Sequence, residues 1–186
     1  MTKSHGVRNR RRARELAVQF LYSLETRSGQ DFDESLSAFV SESGFAPKEE
    51  RDVTEYLSFL AKGVWNERFA IDNTMRRIVT KWSPERMVAV DRAVLRMAIF
   101  EGFLEKKVPP AVAISEAVSL AAAFGTEDSG KFVNGALAKV VRYFTEPQST
   151  ELQSTELQSA ELQSGERQEE ENENDAVADS ENSIDR

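Results

Sequence analysis

The chain has 186 residues, with 24 Lys and Arg against 32 Asp and Glu, a formal charge of −8, and no cysteine. Without cysteine there are no disulfides, thiolate nucleophiles or Cys-ligated zinc, and the one histidine, His5, sits in an N-terminus expected to fray, which argues against a His-based metal site or a Ser–His–Asp triad. No apolar run approaches the ~18–20 residues of a membrane span, and neither a signal-peptide core nor a small-residue cleavage site follows the basic N-terminus, so a cytoplasmic protein without metal or cofactor is expected.

The charge is unevenly placed. Residues 146–186 hold 13 acids and 2 bases, a charge of −11, while residues 1–145 hold 19 acids and 22 bases, a charge of +3. The acidity therefore belongs to the C-terminal segment, and the part able to fold is mildly basic.

The first element is expected as a helix from about Arg8 to Thr26. Ala13, Ala17, Phe20 and Leu24 fall on one face, with Leu16 and Leu21 flanking. It opens on RNRRRAR, five arginines in the seven positions Arg8 to Arg14. A second helix is expected at about Phe32 to Ser43, with Gly44 suited to its C-terminal end. Pro47 suits the start of a third, with Val53, Leu57, Leu60 and Val64 apolar, and the pattern continues through Ile71 and Ile78 as a fourth segment. Ser83-Pro84-Glu85 reads as a capping residue before a proline at the first helical position. The helix after it, about Glu85 to Leu104, is apolar on most faces and should be central to the core. Val108-Pro109-Pro110 breaks the chain. An alanine-rich helix follows from Ala111 to Phe124, ended by Gly125, and a last one from about Ser129 to Phe144. No stretch alternates with period two. The expected fold class is all-α, about seven helices with short connections, in a domain of residues 1–145.

Residues 146–186 read differently. A pentapeptide recurs as STELQ, STELQ, SAELQ and SGERQ. A period of five advances the helix angle by about 140° per repeat, so Leu152, Leu157 and Leu162 form no stripe. An acidic low-complexity tail, disordered, is expected there.

Two constellations point to a ligand. With Ala13 toward the core, Arg8, Arg11, Arg12, Gln19 and Tyr22 point away from it, at 100° per residue. One face then offers guanidinium forks for phosphates and a ring for an unpaired base. The alternative is a solvated helix face, although the helix dipole disfavours cations at an N-terminus. Arg10 and Arg14 lie nearer the core margin by angle. The second constellation is FGTEDSGKFVNG, Phe124 to Gly135. Gly125-x4-Gly130-Lys131 superficially matches a phosphate-binding loop, but Phe132 stands where Ser or Thr would hold magnesium, Glu127 and Asp128 repel phosphate, and a helix precedes it instead of a strand. A turn between helices with Asp128 as cap fits better. On the last helix Val133, Leu137, Val140 and Phe144 should face the core and Lys131, Lys139 and Arg142 solvent. Phe132 then lies on the solvent side, where a helix, a base or a partner protein would cover it. Carboxylate neighbours such as Glu49/Glu50 and Glu127/Asp128 point about 100° apart on a helix and do not converge. Binding is favoured over catalysis.

Three stretches, RRRARELAVQFLYSLE (Arg10–Glu25), VDRAVLRMAIFE (Val90–Glu101) and VAISEAVSLAAAFGTEDSGKFVNGALAKV (Val112–Val140), resemble the NusB family of bacterial transcription antitermination factors. The resemblance spans about Arg8 to Val141, and the tail has no counterpart in it. It implies two packed helical subdomains and binding of boxA, a single-stranded RNA signal in ribosomal RNA operon leaders. It further implies action together with the ribosomal protein NusE in the RNA polymerase antitermination complex. The family's RNA-contacting positions fall on Arg10, Arg11, Arg12, Arg14, Tyr22, Asp91, Asp128, Lys131 and Phe132; the helical angles add Arg8. Asp91 and Asp128 would accept hydrogen bonds from base amino groups; otherwise Asp91 would form an intrahelical ion pair. The alternatives are a protein-interaction scaffold that binds no RNA, and a stand-alone relative of the RNA-binding domain found on some ribosomal RNA cytosine methyltransferases.

Overall fold

Pattern and propensity converge on helix throughout the part described by the computed structural model, residues 2–26, 31–44, 50–79, 83 and 86–145. The expected acidic tail, residues 146–186, lies outside the described residues, as do Pro47, Pro84 and Glu85. Among the described residues the elements are six α-helices and one π-helical turn.

Helix α1 spans Thr2–Thr26, several residues more at its N-terminus than its apolar pattern requires. Its inward face is the expected one: Ala13, Leu16, Ala17, Phe20 and Leu21 are buried and Leu24 packs at the margin. Helix α2, Phe32–Glu42, starts where the Asp31 side chain accepts from the Glu34 N–H at 3.0 Å, a cap worth about 1 kcal/mol. It ends as expected: Gly44 takes φ +57°, a left-handed conformation open to glycine at little steric cost. Leu36 is buried, and Phe32 and Phe39 set their rings 5.5 and 5.3 Å from that of Phe20, so α2 is held to α1 by aromatic contacts.

Helix α3 runs unbroken over Glu50–Ile78, where two segments were expected. No proline interrupts it, and Gly63 does not break it because the glycine serves packing. A Cβ there would lie 1.9 Å from the Phe100 ring. Val53, Leu57, Leu60, Val64, Ile71 and Met75 are buried along it.

The central helix is shorter than its sequence suggested. Helix α4 covers Ala89–Ile99, and ahead of it the Arg86 N–H donates to the Ser83 carbonyl at 3.0 Å. It continues into a π-helical turn, Phe100–Leu104, closed by the Glu105 N–H on the Phe100 carbonyl at 2.9 Å. The widened turn buries four consecutive residues, Phe100, Glu101, Gly102 and Phe103. Helices α5, Pro110–Phe124, and α6, Ser129–Thr145, complete the chain described. Val133, Leu137 and Val140 of α6 are core residues. Phe144, expected inside, is a half-exposed cover with its ring 5.4 Å from that of Phe103.

Helices α1–α3 pack as one group and α4–α6 as another, α1 on α3 and α5 on both α4 and α6. Contacts of α4 with α1 and α3 join the groups around one continuous apolar core. Helix α4 also touches α6, so it lies between the arginine-bearing helix and the helix that carries Lys131 and Phe132.

Candidate nucleic-acid interface

A straight helix turns its residues by 100° each, and α1 obeys that rule over its arginine run. Arg8, Arg10, Arg11, Arg12, Gln19 and Tyr22 are exposed. Arg11 and Arg12 share one counter-ion, Glu15, at 3.5 and 3.3 Å. Exposed pairs of this kind are worth under ~1 kcal/mol and exchange readily for a phosphate. Arg10 lays its guanidinium over the Tyr56 ring, 5.0 Å from the centroid, which orients the fork without neutralising it. From Arg11 to Tyr22 the face extends about 16 Å.

Arg14 behaves differently. It is 3% exposed and turned inward onto Glu101, itself 1% exposed. The Arg14 Nε donates to both Glu101 oxygens at 3.0 and 2.9 Å, Nη2 lies 2.8 Å from Oε1, and Glu116 stands 3.5 Å away. The Tyr56 hydroxyl donates to the same Glu101 carboxylate. Burial alone pushes the Arg14 guanidinium down, and the hydrogen bond and charge of Glu101 more than offset it, leaving it raised. Burial and Glu101 together push the Tyr56 hydroxyl well above the usual phenol range, against the opposing charges of Arg14 and Arg10. The sites α1, α3, the π turn and α5 thus meet at one buried charge system, and the Arg14 fork is fully engaged in it.

The two acids also part ways. Asp91 sits in the first turn of α4, where the helix dipole favours a carboxylate. It is 5% exposed, and its Oδ1 has no hydrogen-bond partner among the described residues, so the intrahelical ion pair considered above is not formed. Such a buried acceptor is costly unless a donor reaches it. Asp128 occupies the residue before α6, and its carbonyl takes the Phe132 N–H at 3.0 Å. Its carboxylate, however, is exposed and lies 3.8 Å from Lys131. The turn is stitched instead by Ser129, whose Oγ accepts from the Thr126 N–H at 2.8 Å. Lys131 is exposed and Phe132 is 41% exposed, as its helical angle required. The geometry combines a row of cations on rigid backbone, two exposed rings, and a buried acceptor on the helix between them. Residues 11–142 match the family model described as the NusB family. The chain belongs to the NusB family.

Its relatives carry matching names. A transcription antitermination protein NusB from Symbiobacterium thermophilum is 41% identical over 138 residues, 72% of this chain and 90% of the relative. Among solved structures, a T. maritima NusB superposes with a TM-score of 0.62 at 34% identity, covering 74% of this chain and 93% of that one. A crystal structure of antitermination factors NusB and NusE in complex with dsRNA gives 0.65 at 28% identity, covering 74% and 98%. Residues 143–186 fall outside the family match.

In this NusB-family chain, sequence reasoning missed the partners that surround the arginines. Tyr56 and Glu101 lie 45 residues apart in the chain, and Glu101 sits 87 residues from Arg14. Asn9, within the arginine run, is buried and reaches Asp52 at 3.5 Å. The one signal available was negative: Glu101 is the acid in the otherwise apolar stretch from Met97 to Leu104, and such an acid needs a cation. No helix among the described residues is long and apolar enough to cross a membrane.

Proposed function

We propose that this chain is a transcription antitermination factor that binds boxA-type single-stranded RNA together with NusE, within the RNA polymerase antitermination complex, in the cytoplasm and without catalysis. The working body is the helical domain of residues 1–145, and residues 146–186 are an acidic appendage. The observation that carries the reading is the exposed cationic face of α1, displayed on a rigid helix in a NusB-family chain. Arg8, Arg10, Arg11 and Arg12 hold phosphates, and Tyr22 and Phe132 stack on bases. Lys131 adds a phosphate contact. Asp91 and Asp128 accept from base amino groups, which supplies discrimination where a carboxylate cannot supply attraction. Arg14 lies beneath the same face, with its fork held by Glu101.

The related NusB–NusE structure holds double-stranded RNA, whereas exposed rings favour unpaired bases, so strandedness belongs in the test. Fluorescence anisotropy with labelled boxA RNA, single-stranded and as a duplex, with and without NusE, is the direct assay. The single strand should bind more tightly, and log affinity should fall against log salt by about 0.7 per phosphate neutralised. Arg11→Ala/Arg12→Ala should flatten that slope by about 1.4. An unchanged slope removes the assignment of these arginines, and NusE binding without any RNA binding establishes a protein scaffold instead.

A further inference from the structure

Beyond the C-terminal end of the arginine face lies a second cationic site. Leu21, Leu24 and Glu25 of α1, Trp65, Arg68, Phe69 and Asp72 of α3, and Arg92 and Arg96 of α4 are among the residues that line a cleft of about 530 Å³. Four arginines, Arg68, Arg76, Arg92 and Arg96, and two acids, Glu25 and Asp72, stand in its lining. Arg92 pairs with Glu25, and Arg96 holds Asp72 through two hydrogen bonds of 2.9 and 2.6 Å. Arg68 has no carboxylate partner among the described residues. It donates to the Trp65 carbonyl, and its guanidinium lies 3.9 Å from the Trp65 ring centroid and 4.3 Å from that of Phe69. Burial and the neighbouring Arg96 push its guanidinium below the ordinary value, with Asp72 opposing. An arginine stays protonated in such a position, so an anion brought to it would be favoured. Phe69, 67% exposed, is the most exposed aromatic ring among the described residues and stands at the rim.

We propose that this cleft continues the RNA path past Tyr22 and is a second nucleotide subsite, in which Arg68 takes a backbone phosphate and Phe69 stacks on the adjoining base. The proposal rests on α1 being the RNA face, and it adds residues that the family resemblance does not assign. Two observations favour nucleic acid over an acidic peptide. The cleft is continuous with the proposed face, because Glu25 lies one turn beyond Tyr22 on α1 and pairs with Arg92, the neighbour of Asp91. In addition, the flat layers of Trp65, Arg68 and Phe69 end in an exposed aromatic face, a platform for a planar base.

The test compares boxA RNA with the same RNA extended by a short uridine run at either end, bound to the full chain and to the Arg68→Ala and Phe69→Ala variants. Circular dichroism melts check that each variant is folded. One extended RNA should bind wild type more tightly than the unextended one. Arg68→Ala should remove that gain and reduce the salt slope for the extended RNA by about 0.7, and Phe69→Ala should weaken it by about five-fold or more. Both variants should bind unextended RNA as wild type does. Equal affinity of wild type and Arg68→Ala for both extended RNAs overturns the proposal. So does a loss of NusE binding with RNA binding intact, which would assign the cleft to a protein acid. Failure of the α1 face itself is read separately, as unchanged binding of unextended RNA by Arg11→Ala/Arg12→Ala.

Discussion

Glu101→Gln isolates the buried charge system beneath the arginine face. The substitution keeps the side chain's shape and leaves an acceptor for the Tyr56 hydroxyl. It removes the carboxylate that three contacts of 2.8 to 3.0 Å bind to Arg14. The guanidinium then remains inside with only Glu116, at 3.5 Å and on the more accessible side, to balance it. Removing one partner of a buried pair costs roughly 3–5 kcal/mol, a large share of the ~5–15 kcal/mol that holds a domain folded. The melting temperature should fall by roughly 6–20 °C at this chain length. Equilibrium unfolding in urea, followed by far-ultraviolet circular dichroism, gives the free energy directly. The double variant Arg14→Met/Glu101→Gln removes both charges of the buried pair and should regain more than half of the loss, a coupling that a double-mutant cycle measures. A loss below about 1 kcal/mol for the single variant, or strict additivity in the cycle, refutes the reasoning. The folded double variant should also bind RNA as tightly as wild type, since the Arg14 fork is already occupied; a specific loss would place Arg14 on the RNA.

Gly63→Ala drives a Cβ into the ring of Phe100 at 1.9 Å, and overpacking should cost about 1–3 kcal/mol or more; adding Phe100→Leu should recover part of it in thermal melts. Tyr56 has a folded-state pKa raised above its unfolded value of about 10, so the stability it contributes is complete below that pH and is lost as pH rises toward the folded value. Wild type should therefore lose stability more steeply than Tyr56→Phe between about pH 9.5 and 11, and parallel curves would contradict the assignment. Phe132→Ala should weaken RNA binding while costing under about 1 kcal/mol of stability, because the ring is 41% exposed; a cost of several kcal/mol would return the ring to the core.

Local periodicity was enough for the all-helical class and for the outward residues of α1. A helix sets side-chain direction by residue spacing alone, so Arg8, Arg11, Arg12, Gln19 and Tyr22 were legible on one face, and Phe132 on the solvent side of α6. The end of α2 at Gly44 was legible for the same reason, because a left-handed residue is a local requirement. The fate of residues at the boundary between faces was not legible. Arg10 and Arg14 sit at similar angles, yet Arg10 rests on the Tyr56 ring in the open while Arg14 is buried. The difference is made by Glu101, which a π turn brings to Arg14 from far along the chain. The continuity of α3 turned on a similar remote fact, since Gly63 reads as a weak point until Phe100 is seen to fill the space beside it.

The sequence by itself determined the helices, the cationic face and the family, because each of these is written in neighbouring residues. Tertiary structure alone decided which charges are spent inside the protein and which remain for a ligand. Whether a charge is already neutralised depends on groups that only folding brings within a few ångströms. That is why Arg14 is held inside by Glu101, while Arg68, which the sequence pattern did not single out, lines an open cleft.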